Sequence, residues 1–128
     1  MAEFGNQQLL PASKAAADLT AQQYHVVRLS AANATNLASL ATTSAISGVL
    51  QNKPKTNEAC SVAFSGASKI TAGGALTAND IITTNSSGRA AVVASGQMAI
   101  GRVLEAAAGD GDIVSAVLFP PVRWAGAA

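Results

Sequence analysis

Gly101-Arg-Val-Leu-Glu-Ala-Ala-Ala-Gly-Asp-Gly-Asp-Ile-Val-Ser-Ala-Val-Leu-Phe119 reads as two β-strands joined by a turn. Gly109, Asp110, Gly111 and Asp112 are residues that tolerate positive φ and a tight reversal. Val103 and Leu104 precede the turn; Ile113, Val114, Val117, Leu118 and Phe119 follow it. The returning strand is apolar on both faces. Ile113, Val117 and Phe119 share one face, interrupted by Ser115, and Val114, Ala116 and Leu118 share the other. A strand of this kind is covered on both sides. One cover is its own core, and the other is expected to be a neighbouring subunit.

Working outward, the chain breaks into short apolar runs between Gly, Asn, Asp and Ser clusters. Strands are expected at 24–30, 45–50, 58–65, 67–71, 81–84, 89–94, 97–105 and 113–119. Asn85-Ser-Ser-Gly88 reads as a hairpin turn, Pro54 ends a polar loop, and Pro120-Pro121 should stop a ladder. Thr20 with Gln23 fits a capping box worth one helical turn. Residues 31–44 carry little pattern beyond Leu37 and Leu40. About eight short strands with no long amphipathic helix between them predict an all-β fold, a small barrel or sandwich. A weak internal echo links 46–64, running from Ile46 and Gly48 to Phe64, with 100–119, running from Ile100 and Gly101 to Phe119. It suggests two related hairpins on two sides of one barrel.

Three regions are expected. Residues 1–19 lack strand alternation and read as an extended N-terminal arm outside the core, with Phe4, Leu9 and Leu10 as its large anchors. Residues 20–119 form the β-domain, and 120–128 a C-terminal tail holding Trp124.

The 128 residues fit one domain. Only 12% are charged and the net charge is +1, which gives no electrostatic reason to expect nucleic acid. No apolar run approaches the ~20 residues of a membrane span, and the acidic, polar start does not resemble a signal peptide. Alanine is the commonest residue and aromatics are only 4%. Small side chains bury little area at roughly 25 cal/mol per Å², so association with other subunits is expected to add burial.

The chemistry of catalysis is thin. Cys60 is the single cysteine and reads as a buried thiol behaving as a small hydrophobe. His25, the single histidine, has no companions nearby in sequence and reads as structural. Asp110 and Asp112 flank Gly111 where they serve turn geometry rather than acid–base work. No Cys/His metal spacing, calcium loop or phosphate-binding loop is present. A binding or structural role is expected rather than an enzyme, with no metal and no cofactor.

Several pieces occur in one order: Ala16-Ala-Asp-Leu-Thr-Ala-Gln-Gln-Tyr-His-Val-Val-Arg-Leu-Ser30, Gly48-Val-Leu-Gln-Asn-Lys-Pro54, Lys69-Ile-Thr-Ala-Gly-Gly-Ala-Leu-Thr-Ala-Asn-Asp80, Asn85-Ser-Ser-Gly-Arg-Ala90, Ile100-Gly-Arg-Val-Leu-Glu-Ala-Ala106 and Gly111-Asp-Ile-Val114. That order resembles the capsid decoration, or cement, proteins of tailed bacteriophages over roughly residues 15–118. Where the family often has Gly before the Asp of the 78–80 turn, this chain has Asn79, which also tolerates left-handed geometry.

The resemblance implies a β-barrel-like domain that forms a homotrimer on the outer surface of an icosahedral head. There it would bind the major capsid protein across capsomer boundaries and hold the expanded shell. It would be made in the host cytoplasm and end in the virion. On this reading Phe4, Leu9 and Leu10 grip the capsid, and Val117, Phe119 and Trp124 form the subunit interface or pack the tail. The alternative is a receptor- or carbohydrate-binding β-domain displayed on the virion, for which the few aromatics offer little lining.

Overall fold

The computed structural model describes residues 5–11, 13–37 and 46–124. These form eleven strands: β1 (Gly5–Leu9), β2 (Ser13–Ala15), β3 (Val26–Ala31), β4 (Ala34–Leu37), β5 (Ile46–Leu50), β6 (Ala59–Cys60), β7 (Val62–Thr71), β8 (Ile81–Thr84), β9 (Ala90–Val92), β10 (Met98–Val103) and β11 (Ile113–Arg123). All belong to one sheet, ordered β6-β2-β4-β3-β5-β7-β11-β10-β8-β9, with β1 added on β7. The fold is all-β and sandwich-like rather than a closed barrel. Strands beyond the expected eight come from stretches that lack alternation, notably β1, β2 and β4.

β7 is the spine. Ala67 pairs with both Gly5 and Val117, and Ala63 pairs with both Leu9 and Val49. A strand residue has one neighbour on each edge, so β5 and β11 lie end to end along one edge of β7. β1 runs along the opposite edge and spans their junction. The two strands expected at 58–65 and 67–71 are therefore largely one. Gly66, with φ +91°, carries the chain through the join.

The sheet curls so that its β9 end returns against β3 and the chain just past β7. Val26 N donates to Gly88 O at 2.6 Å, and Gly73 N to Ala90 O at 2.8 Å. Inside lies the main core, including Val26, Val49, Ala63, Ile70, Ile82, Ile100, Val103, Val114, Ala116 and Leu118. Outside β3, β5 and β7 lies a second, smaller core of Ala15, Leu19, Val27, Leu50, Cys60 and Val62, with Leu10 packed against it. Period-two alternation explains the division. Val26 faces the main core and Val27 the second; Val49 and Leu50 divide the same way, as do Ala63 and Val62. Each large aliphatic side chain so buried contributes about 1.5–3 kcal/mol. The expected arm is thus not outside the core in its described part: β1 and β2 join the sheet, and Ala15 and Leu19 are buried.

One turn recurs before four strands. In 55–58, 77–80, 94–97 and 109–112 the last residue's N–H donates to the first residue's carbonyl. The last side chain in turn accepts from the first N–H: Glu58 from Lys55 at 2.7 Å, Asp80 from Thr77 at 2.9 Å, Gln97 from Ala94 at 2.8 Å and Asp112 from Gly109 at 3.3 Å. The third residue is left-handed each time: Asn57, Asn79, Gly96 and Gly111 at φ +70°, +78°, +87° and +94°. Asn and Gly pay the smallest steric penalty there. The same backbone turn, His25 N to Gln22 O, precedes β3, with Tyr24 in the left-handed place at φ +64°.

Two local expectations are corrected. Thr20 and Gln23 form no helical turn; instead Asp18 Oδ1 accepts from Thr20 N at 3.1 Å and Thr20 Oγ1 at 2.8 Å. Those bonds, the hydroxyl's first, hold the Asp18 carboxyl below its ordinary pKa. Pro120 and Pro121 do not end the ladder either. β11 continues to Arg123, because the prolines fall in a register shift: Leu118 pairs with Gly101 and Val122 with Ala99. The extra residues bulge out there, so no ladder N–H is required of them.

Candidate functional site

The described residues contain no group of three His, Cys, Asp or Glu side chains placed to hold a metal. They contain no helix long and apolar enough to cross a membrane. What the fold does present is surface.

The residues assigned to capsid binding fall in different environments. Leu9 is 51% exposed at the end of β1. Leu10 packs against the second core and its N–H donates to Val62 O at 2.9 Å, so it anchors the segment to its own domain. Phe4 lies outside the described residues. Beside this segment a cavity of about 220 Å³ is lined by Leu10, Pro11, Leu29 and Val62 with the hydroxyls of Ser13, Thr35 and Ser47. Ser13 Oγ and Thr35 Oγ1 are hydrogen-bonded to one another.

The residues assigned to subunit contact share one strand or its continuation. Val117 and Phe119 are half-buried on the outer face of β11, while Val114, Ala116 and Leu118 fill the main core. Ile113 is 51% exposed on that outer face, and Leu104, 44% exposed, stands across from Ser115. Trp124 is half-buried and extends the sheet: its N–H donates to Gln97 O at 2.7 Å, and its carbonyl accepts from Gly96 N at 2.8 Å. Exposure of Leu104 was not foreseen from the sequence; its signal is the Val-Leu pair, whose members must face opposite sides of a strand.

His25, Arg89 and Asp110 meet at one end of the sheet, although 64 and 21 residues separate the successive pairs. Arg89 Nε donates to His25 Nε2 at 3.3 Å, and Arg89 Nη1 to Asp110 Oδ1 at 2.6 Å. Arginine only donates, so Nε2 is the unprotonated nitrogen and Nδ1–H donates to Gln23 O at 3.1 Å. Burial holds the imidazole pKa below its ordinary value, and Arg89 beside it lowers it further. All of its nitrogens are engaged in joining turns. Cys60 is buried in the second core, and burial pushes its thiol pKa up, away from the reactive thiolate.

Glu105 Oε2 accepts from Ser115 N at 2.9 Å, and this bond draws its carboxyl pKa down. Arg102 Nη1 donates to Asn79 Oδ1 at 2.8 Å on the same outer side.

Residues 8–118 match the family of phage cement proteins. No curated protein matches the chain in sequence. Among solved structures, the chain is similar to the crystal structure of the head fiber gp8.5 N base in bacteriophage phi29. The TM-score is 0.66 at 18% identity, covering 87% of this chain and 94% of that one. That likeness is one of fold.

Proposed function

Since the chain belongs to the phage cement protein family and is a structural virion protein, we propose that it binds the outer surface of an icosahedral head as a trimer. There it cements neighbouring capsomers and stabilises the expanded shell. The observation that carries this reading is the family match over residues 8–118, which takes in nine of the eleven strands whole and parts of β1 and β11. The partner is the major capsid protein. Contact is multivalent: three copies of the N-terminal segment, with Phe4 and the exposed Leu9, each engage a coat subunit. Linking weak contacts raises avidity by about 10²–10⁴. Val117, Phe119 and Trp124 lie on the subunit-facing side. A buried reduced thiol and a fully engaged histidine are in keeping with a protein that performs no catalysis.

The test is addition of purified protein to expanded heads that lack it, followed by cryo-EM and a heat- or chelator-challenge of the heads. Decoration at capsomer boundaries and a raised temperature of DNA release are expected. Heads that stay bare at micromolar protein would overturn the reading. A chain lacking residues 1–9 should remain folded and trimeric but lose head binding; retained binding would remove the N-terminal segment from the contact.

A further inference from the structure

Four segments far apart in sequence meet where the β9 end of the sheet returns: 24–26, 71–73, 88–90 and 110–112. Their backbones are joined by Thr71 N to Tyr24 O at 2.9 Å, Val26 N to Gly88 O at 2.6 Å, Gly73 N to Ala90 O at 2.8 Å and Gly111 N to Ala72 O at 2.8 Å. Gly88 packs so closely on Leu37 and the Val26 carbonyl that a side chain there would have no room. A line of side chains crosses the same seam, from buried His25 through Arg89 to Asp110. The His25–Arg89 bond exists in one protonation state only. With Nδ1–H given to Gln23 O, Nε2 offers its lone pair to Arg89 Nε–H. A proton on Nε2 removes the acceptor and sets two cationic donors 3.3 Å apart.

We propose that His25, Arg89 and Asp110 form an acid-released latch: protonation of His25 opens this seam and frees the β8–β9 hairpin from β3 and from residues 71–73, while the rest of the sheet stays paired. The opening is local because β9 is the last strand in the sheet order and β8 keeps its own pairing with β10. The charged groups acting on the ring are Arg89 and Asp110, and the Asp110 carboxylate is already held by Arg89. The other neighbours do not offset the new charge. Lys69, the one cation of β7, lies over the Tyr24 ring, and the Asp112 carboxylate accepts from Ala108 N and Gly109 N. β5, whose Leu50 N donates to His25 O, carries no ionisable side chain. Burial keeps the closed imidazole below its ordinary pKa, whereas the wetted ring of the open seam takes up a proton near about 6.5. The open population therefore rises as pH falls, by at most about 30-fold at pH 5 for one proton.

The experiment is amide hydrogen exchange on the full chain, read residue by residue by NMR from pH 8 to pH 5 and corrected for intrinsic rates, with and without sub-denaturing urea. Protection of the Val26, Thr71 and Gly73 amides should fall several-fold, up to about 30-fold, and depend little on urea, as a local opening does. The Val103 and Leu104 amides, bonded to Asp80 O and Ser115 O, should stay better protected and follow the urea dependence of global unfolding. His25→Gln keeps an oxygen acceptor for Arg89 that takes up no proton, so its seam protection should not change with pH. Arg89→Ala should loosen the seam already at pH 8. The wild-type measurement stands without either variant. Seam amides that share the urea dependence of Val103, or that lose no protection between pH 8 and pH 5, would overturn the latch. So would a His25→Gln chain whose seam loosens with acid as the wild type does.

Discussion

Arg89 and Asp110 form an ion pair at 2.6 Å that ties the hairpin turn before β9 to the turn before β11. Both groups are partly exposed, so the pair by itself contributes modestly. Its weight lies in what Arg89 does with its other nitrogen, which donates to the unprotonated Nε2 of buried His25.

That arrangement predicts an acid-sensitive fold. The pKa of His25 is lowered by folding, so the unfolded chain takes up a proton near the ordinary pKa of about 6.5 while the folded chain resists it. Stability is fully present above that value and falls as pH drops below it. The slope cannot exceed about 1.4 kcal/mol per pH unit for one proton. Melting temperatures between pH 8 and pH 5 should show the decline, and His25→Gln, whose amide oxygen can still accept from Arg89, should flatten it. An unchanged profile in that variant would assign the decline elsewhere. The lowered carboxyls of Asp18 and Glu105 act in a separate window, losing their contribution only as pH falls toward and below about 4.

The recurring turn predicts opposite effects at two positions. Asn79→Ala forces a Cβ-bearing residue with no side-chain compensation into φ +78°, and should cost about 1 kcal/mol in chemical denaturation. Tyr24→Asn places a tolerant residue at φ +64° and should gain a few tenths up to about 1 kcal/mol. The gain is reduced by loss of the ring that lies 5.6 Å from Lys69 Nζ. A loss of stability in Tyr24→Asn would mean that the ring contact outweighs the backbone strain.

Gly48 marks the tightest approach in the sheet. A Cβ there would collide with the Ala63 carbonyl oxygen and lie 3.1 Å from Val62 Cγ1. Gly48→Ala should therefore destabilise by about 3 kcal/mol or more. Gly74→Ala, where a Cβ would meet nothing within 4 Å, should be close to neutral. Equal melting temperatures for the two variants would contradict this account.

The second core predicts that residues 10–19 are structural. Leu19→Ala should cost about 2–5 kcal/mol, because the side chain is only 2% exposed among Leu50, Val62 and Cys60. Removal of residues 1–19 should be more damaging than removal of 1–9, which leaves Leu10, Ala15 and Leu19 in place. Identical denaturation midpoints for the two truncations would deny the second core its role.

Much of this was legible in the chain. The Gly109–Asp112 turn, the grouping of Val114, Ala116 and Leu118 on one face, and the tolerance of Asn79 for left-handed geometry follow from residue type and period two; which face points inward does not. The echo between 46–64 and 100–119 is visible as the shared Val-Leu step. What was hidden has physical causes. β1 and β2 bury few large side chains, so no alternation advertises them; their place is set by backbone pairing with β7, β4 and β6. Pro120 and Pro121 signalled an end because the compensating bulge depends on register, which local sequence does not encode. His25 found its partners only through the fold, since Arg89 and Asp110 are brought to it by three turns.

The placement of β1 along β7 has a mechanical consequence. The axis of β1 lies along β7 across the point where β5 gives way to β11. Tension applied to the N-terminus loads these hydrogen bonds in shear, so they share the force and yield together instead of unzipping one by one. The pull passes directly to the one strand that both halves of the sheet have in common. Load entering at β1 is thus carried into the middle of the sheet rather than to its rim.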